Sequence, residues 1–418
     1  MEIFPKDIVA RFGGKALSQH GVFMVPGASR GLVETKETVT RASTALIGDR
    51  DRNVKVAAID KLRMHYPPGL VDASGQPLGG VLAEGTRQNK IENGDYETDA
   101  VGSNIRVGAT LLRDQTNVRH GAWALKVTVA NSVQSGMHWV PKAGGRIVAV
   151  AARAYTVEVD VYAPAASVGK TLRVGMEWWN AIPAAISNSN GPTTALVAGW
   201  QRLIFTVTSP ANTAFAVPFI ELNAAQGIFD FWVDIADFQE GAFASEPVPT
   251  NTAVAMRSAD QIDVAIVLDM ARDWSLYLWF HAHHANVATW PDTEPQLDAF
   301  MLGLYPTTAG ADANDSLRLH RQNTATQYEW EYGSNSPTAS RTFTVTSNPQ
   351  KLVLRHRASD HVLDAAIDGG AFAVSAAPSG VTFRPLVLLR FLNTGFWTLF
   401  DGMLARGLFT QPEFEAVP

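Results

Sequence analysis

Glu329 and Glu331, in the run Tyr-Glu-Trp-Glu-Tyr, alternate along what reads as a β-strand, which puts both carboxylates on one face about 6–7 Å apart. Paired carboxylates at such separations can hydrolyse a glycosidic bond. A third alternating acid would fall where the chain has Gly333, so the pair reads as a solvated face. His281 and His283 share a face of another strand-like stretch, with His284 beside them. Zinc takes four ligands, no third lies nearby and the chain has no cysteine, so these read as interface or partly buried histidines. A third grouping carries binding chemistry. Within Leu172 to Asn180, strand alternation puts Leu172, Val174, Met176 and Trp178 on one face and Arg173, Glu177 and Trp179 on the other. An aromatic plane beside two hydroxyl-binding groups is what sugar recognition needs, although the same face would also suit burial against another subunit. The sequence has no phosphate-cradling glycine loop, no Ser-His-Asp signature and no metalloprotease helix, and the chain is read as non-enzymatic.

These residues need strands to carry them, and period-two alternation dominates from Ile91 to about Ala244. Tyr155, Val157, Val159 and Val161 fall on one face and Thr156, Glu158 and Asp160 on the other, as in a strand wet on one side. Leu203, Phe205 and Val207 repeat the pattern, as do Phe229, Phe231, Val233 and Ile235. Asn93-Gly94 marks a turn, with Tyr96 entering the core after it, and Ser187 to Pro192 reads as a loop with Asn190-Gly191 at positive φ. After Glu246, strands are expected over 274–283, 300–305, 316–320, 328–332, 341–346, 352–357 and 386–392. Asp368-Gly369-Gly370 reads as a hairpin turn, and Thr410 to Glu413 has capping-box spacing for one helical turn.

The fold expected is all-β: two antiparallel β-sandwich (jelly-roll) domains, 91–245 and 246–418, preceded by an irregular N-terminal docking segment, 1–37, and a small β-rich linker, 38–90. Phe4, Phe12, Phe23, Met24 and Val25 make the first segment too apolar for a solvated tail, so it is expected to order by docking on another chain. The linker has strand-like pieces at Val54 to Ala58 and Leu62 to Tyr66 and is too small for its own core, so it should pack on a neighbour.

Composition narrows the partners. The 34 basic and 40 acidic residues give a net charge of −6, which argues against nucleic acid. With no cysteine, disulfides and thiolate metal sites are excluded. The opening MEIFPKDIVARFGG lacks the pattern of a cleaved signal, and no apolar run approaches the ~20 residues that cross a bilayer, so membrane insertion is not expected.

Three motifs carry a resemblance. Arg41-Ala42-Ser43-Thr44-Ala45, Arg63, Tyr66 and the run Gly80 to Asn89 (GVLAEGTRQN) resemble the preamble of many bacteriophage structural proteins. Asn93 to Glu97 (NGDYE) resembles the opening of that family's jelly roll, and Ala244 to Asp260 is similar to its join to a second sandwich. The likeness covers roughly residues 38 to 418. It implies a carbohydrate-binding-module-like jelly roll followed by a concanavalin- or laminin-G-like sandwich. It also implies a virion structural or accessory protein: capsid decoration, head spike or tail fibre, made in the host cytoplasm and displayed on the virion surface. The partners implied are other virion proteins and copies of itself, with a trimer as the expected oligomer, and host glycans beyond them. A tail adhesin or a polysaccharide depolymerase are the alternatives. In such jelly rolls, acids placed like Glu97 and Asp234 often help hold a structural calcium between first and last strands, which makes these two its implied ligands, and no other cofactor is implied. Trp200 resembles a position with a packing role.

Overall fold

The computed structural model describes residues 87–257 with side chains, except 100, 101, 242, 243, 245 and 252; elsewhere it describes strand backbones and residues 46, 54–56 and 356–359. The described chain is all-β with antiparallel sheets, and its one helical element among the described residues is the 3-10 turn Ala165–Ser167. The strands that build the first sandwich and its neck are β1 (Arg87–Asn89), β2 (Ser103–Arg106), β3 (Thr110–Asp114), β4 (Ala124–Val129), β5 (Gly136–Trp139), β6 (Ile147–Val148) and β7 (Ala154–Ala163). They continue with β8 (Thr171–Trp179), β9 (Ala185–Asn190), β10 (Thr194–Ala195), β11 (Gly199–Thr208), β12 (Phe215–Glu221), β13 (Phe229–Glu240) and β14 (Ala255–Arg257).

One sheet runs β11-β7-β13-β4-β3; the other runs β9-β8-β12-β5-β2, with β6 beside β12 and β10 beside β8. Their inner faces make one core. Val157, Val159 and Val161 of β7, with Phe231 and Val233 of β13, meet Met137 and Trp139 of β5, Met176 and Trp178 of β8 and Ile220 of β12. The large aromatics bury without orphaned nitrogens, because Trp139 Nε1 donates to the Tyr96 hydroxyl at 2.8 Å and Trp178 Nε1 to the Ser189 hydroxyl at 2.9 Å.

The alternation read from the sequence corresponds to these strands, with two corrections. Ser187 to Asn190 is not a loop: it belongs to β9, paired with β8, and neither Asn190 nor Gly191 has positive φ. The polar run is compatible with a strand because β9 lies at the end of its sheet, where the Ser189 hydroxyl serves Trp178 and the asparagines take the other face. Gly191 is there for space, since a Cβ would sit 2.6 Å from the Val174 carbonyl oxygen. The polar side of β7 is not wet either: Thr156 and Glu158 are fully buried and Asp160 nearly so. Segments flanking the sandwich cover them, as Arg119 of the β3–β4 loop pairs with Asp160 and Arg202 of β11 reaches Glu246.

Outside this sandwich, strands at Trp274–Ala282, Ala299–Tyr305, Leu317–Arg321, Gln327–Tyr332, Ala339–Thr344, Gln350–Arg357 and Leu386–Phe391 follow the expected ones closely. Val362–Ile367 and Ala373–Val374 pair on either side of the expected Asp368-Gly369-Gly370 turn, which lies outside the described residues. Thr410 ends the strand Gly402–Thr410, and the rest of the expected helical turn also lies outside them.

The linker is more entangled than expected. Its strand Glu37–Thr40 pairs with Gln261–Leu268, while Met64–His65 and Gly80–Ala83 join the sheet of Gly402–Thr410. Of the segment expected to dock on another chain, Val22–Met24, containing Phe23 and Met24, pairs with Arg406 to Leu408 of the same chain. Gly80–Ala83 covers only 402–404 on that side of the strand, which leaves room for a second short partner. Phe4, Phe12 and Val25 lie outside the described residues. The first sandwich is thus an insertion between Gly80–Ala83 and Gln261–Leu268, and both crossings run through the paired strands β1 and β14.

Candidate functional site: the outer face of the β8 sheet

β8 turns its apolar residues inward, as expected, and Arg173, Glu177 and Trp179 outward. Register adds residues that the sequence reading did not single out. On β12, Glu221 lies opposite Arg173, Phe219 opposite Gly175, Val217 opposite Glu177 and Phe215 opposite Trp179. His138 of β5 pairs with Phe219 and with Asn104 of β2, while Arg106 of β2 lies opposite Gly136. On the far side, Asn188 of β9 lies opposite Glu177 and Asn190 opposite Gly175.

Four of these side chains form a closed ionic group. Arg173 Nε and Nη2 donate to Glu221 Oε1 at 2.9 and 2.6 Å, Arg106 Nε donates to Glu221 Oε2 at 2.5 Å, and Arg106 Nη1 reaches Glu177. Glu221 is fully buried, and the Arg106 guanidinium lies 4.3 Å from the centre of the Phe219 ring. A buried carboxylate needs its charge matched by close donors, and here two guanidiniums do it. Arg173 and Glu177 are therefore brought together with Trp179 as expected, but their charges hold the sheet instead of waiting for hydroxyls.

Phe219 reaches this position only because residue 175 has no side chain: a Cβ there would lie 2.6 Å from the Ser189 carbonyl oxygen and closer still to the Phe219 ring. Gly175→Ala should lower stability by about 1–3 kcal/mol through overpacking, measurable by denaturant unfolding.

The exposed part of the face begins one row along. Val148 of β6, Phe215, Trp179 and Ala185 follow one another across four strands, with Val148 64% exposed. The Arg146 guanidinium lies on the Trp179 ring, 3.6 Å from its centre. Two nitrogens, Trp179 Nε1 and His138 Nδ1, are buried without a hydrogen-bond partner. Burial pulls the His138 pKa below its ordinary value, against the Glu177 charge and with that of Arg106, so the imidazole is neutral near pH 7. Asn104, Asn188 and Asn190 are exposed. Nothing in local sequence linked Arg146 to Trp179; strand register does, by setting β6 beside β12 and β12 beside β8.

Glu97 and Asp234, the implied calcium ligands, both bind the backbone of one loop. Glu97 Oε1 accepts from Ala122 and Trp123 N–H at 2.7 and 3.0 Å. Asp234 Oδ2 accepts from Arg119 and His120 N–H at 2.8 and 3.0 Å, and its Oδ1 from Ile235 N–H at 2.8 Å. Both carboxylates thus tie down one connection, residues 119–123 between β3 and β4. Burial, only partly offset by those N–H groups, holds the Asp234 pKa well above the usual carboxylate range. Calcium wants roughly six to eight oxygens, and no group of three or more His, Asp or Glu suited to a metal occurs among the described residues.

The remaining candidates are placed by backbone. Glu329 and Glu331 lie on Gln327–Tyr332, opposite His320 and Arg318. His281 lies on Trp274–Ala282, while His283 and His284 fall outside the described residues. Trp200 packs on Tyr162 with ring centres 5.5 Å apart, and Tyr162 meets Trp232 edge-on at 5.8 Å, which is a packing role.

No protein-family model matches the chain, and no curated protein matches it. Solved structures similar to it include the CBM22-1 xylan-binding domain of Paenibacillus barcinonensis Xyn10C, at 13% identity over 38% of this chain and 96% of that one, with a TM-score of 0.30. The tandem CBM22-1-CBM22-2 of the same protein is 10% identical over 79% of this chain and 99% of that one, with a TM-score of 0.31. The enzymatically active domain of tailspike protein 4 of bacteriophage CBA120 is 10% identical over 36% of this chain and 21% of that one, with a TM-score of 0.28.

Proposed function

We propose that this chain is a non-catalytic, glycan-binding component of a bacteriophage particle, with the outer face of the β8 sheet as its binding surface. The observation that carries the binding reading is the apolar row Val148, Phe215, Trp179 and Ala185 with exposed Asn188 in the next row of the same face. A pyranose presents an apolar C–H face and a rim of hydroxyls, and that pairing of surfaces is complementary to it. The ionic group beside it on the same face fixes the platform without competing for hydroxyls.

The virion reading is supported by the preamble motifs. Arg87 and Asn89 of one and Arg257 of the other lie on paired strands at the neck, so both motifs serve one structural purpose. In this reading the first sandwich is carried outward on that neck, as capsid decoration, spike or fibre, in an oligomer anchored to other virion proteins. Electron microscopy of particles labelled on this chain tests the location.

The binding reading is tested on a polysaccharide array with the full-length protein. Trp179→Ala should weaken binding at least about tenfold, since central aromatic contacts dominate such surfaces. Unchanged binding in that variant would remove this face from consideration.

A further inference from the structure

The charges and donors of the β8 face do not balance. Arg106 and Arg173 are neutralised by Glu177 and Glu221, two against two. Among the described residues Arg146 has no carboxylate within ion-pair distance and no hydrogen-bond partner, and its guanidinium lies on the Trp179 ring. The indole it lies on has a donor, Nε1, that is buried with no acceptor. Guanidinium and indole N–H are donors only. The side chains around Trp179 therefore offer a surplus of positive charge and of donors, and the group that would match them is an acceptor-only anion. A sugar hydroxyl, which both donates and accepts, does not supply that match as well as a carboxylate, whose two oxygens fit the guanidinium fork.

We infer that the glycan bound by this face is acidic, and that Arg146, seated on Trp179, holds the carboxylate of a uronic- or sialic-type sugar. This rests on the glycan-binding reading above and adds the class of sugar. Arg146 is the specificity-determining residue, and Trp179 is its platform.

The test uses the full-length protein on an array of uronate- and sialate-containing polysaccharides, each printed beside its carboxyl-reduced counterpart, which keeps the sugar skeleton and loses the charge. The expected result is binding to one or more acidic polymers, about tenfold or more weaker on the reduced partner, and weakening further with added salt. In Arg146→Gln the acidic-to-reduced ratio should collapse to about one, while Arg146→Lys, which keeps the charge without the fork, should retain part of it. Arg146 is partly exposed on a loop, so neither variant threatens the fold. Equal binding of acidic and reduced polymers, or a preference untouched in Arg146→Gln, overturns the acidic assignment and leaves the glycan reading standing. Binding to no polymer of either kind overturns both.

Discussion

Asn89→Ala will destabilise the full-length chain by about 3–5 kcal/mol, with denaturant unfolding as the readout. Asn89 is fully buried in β1, at the neck where the chain enters the first sandwich. Its Nδ2 donates to the Ala236 and Val248 carbonyls at 2.9 and 2.8 Å, and its Oδ1 accepts from Ile91 and Phe238 N–H at 2.9 and 3.1 Å. One side chain thereby satisfies four backbone groups drawn from β13, the segment before β14 and the chain just after β1. Truncation leaves all four without partners in a dry site, and each orphaned group costs about 1–3 kcal/mol, less whatever relaxation recovers. Asn89→Asp sharpens the test. It keeps shape and acceptor but turns a second oxygen toward two carbonyl oxygens, so at neutral pH it should cost at least as much as alanine. A loss under about 1 kcal/mol in both variants would mean that the neck is held by something other than this residue. The adjacent contacts point the same way: Gly94 N–H donates to Thr250 Oγ1 at 2.7 Å, and a Cβ on Gly94 would run into the Ala236 carbonyl oxygen.

This neck shows what the sequence made legible and what it hid. Gly80 to Asn89 and Ala244 to Asp260 stand out as motifs, yet nothing in either says that Arg87 pairs with Arg257 across two antiparallel strands. A motif reports that residue types recur; the contact that makes them necessary spans the whole inserted domain. The alternating strands were readable because burying one face of a sheet enforces period two, and the apolar residues of β7, β8 and β13 obey it. Whether the other face is wet was not readable. Alternation records which residues are polar, and Glu158 is as polar when it lies under Arg202 as it would be in water. The same limit governs the candidate site: Arg173, Glu177 and Trp179 were correctly grouped on one face, but the partners that occupy the first two, Glu221 and Arg106, come from other strands. Ser187 to Asn190 failed for a related reason, since turn-forming composition is also tolerated in a strand at the end of a sheet whose hydroxyls face indole nitrogens.

Those covered carboxylates should give the protein an inverted response to acid. Asp237 of β13 is fully buried opposite Glu158 of β7; its Oδ2 accepts from Val248 N–H at 2.7 Å and its Oδ1 has no partner. Burial pushes its pKa up to about 7, against the Val248 N–H and the charges of Arg257, Arg202 and Arg87, which work to lower it. Glu158 is raised in the same direction by burial, opposed by Arg202 and reinforced by Asp237, Glu246 and Asp160. Between about pH 4, where an unfolded aspartate titrates, and about pH 7, the folded chain holds a proton that the unfolded chain has released. More protons bound in the folded state means that stability falls as pH rises through this window and levels off above it. For one group moved by about three pH units the change is on the order of 4 kcal/mol. His120 and His138, whose pKa values burial lowers, act oppositely, because unfolding lets them take up protons below about pH 6.5. The two contributions are separated by Asp237→Asn, which keeps an acceptor for Val248 and leaves both histidines in place. Denaturant unfolding of wild type and variant from pH 5 to pH 8 should give curves that diverge: the wild type loses about 2–3 kcal/mol relative to the variant as pH rises, most of it below about pH 7. Parallel curves would mean that Asp237 is ionised throughout, with Arg87, Arg202 and Arg257 outweighing its burial, and that this cluster is an ordinary ion-pair network.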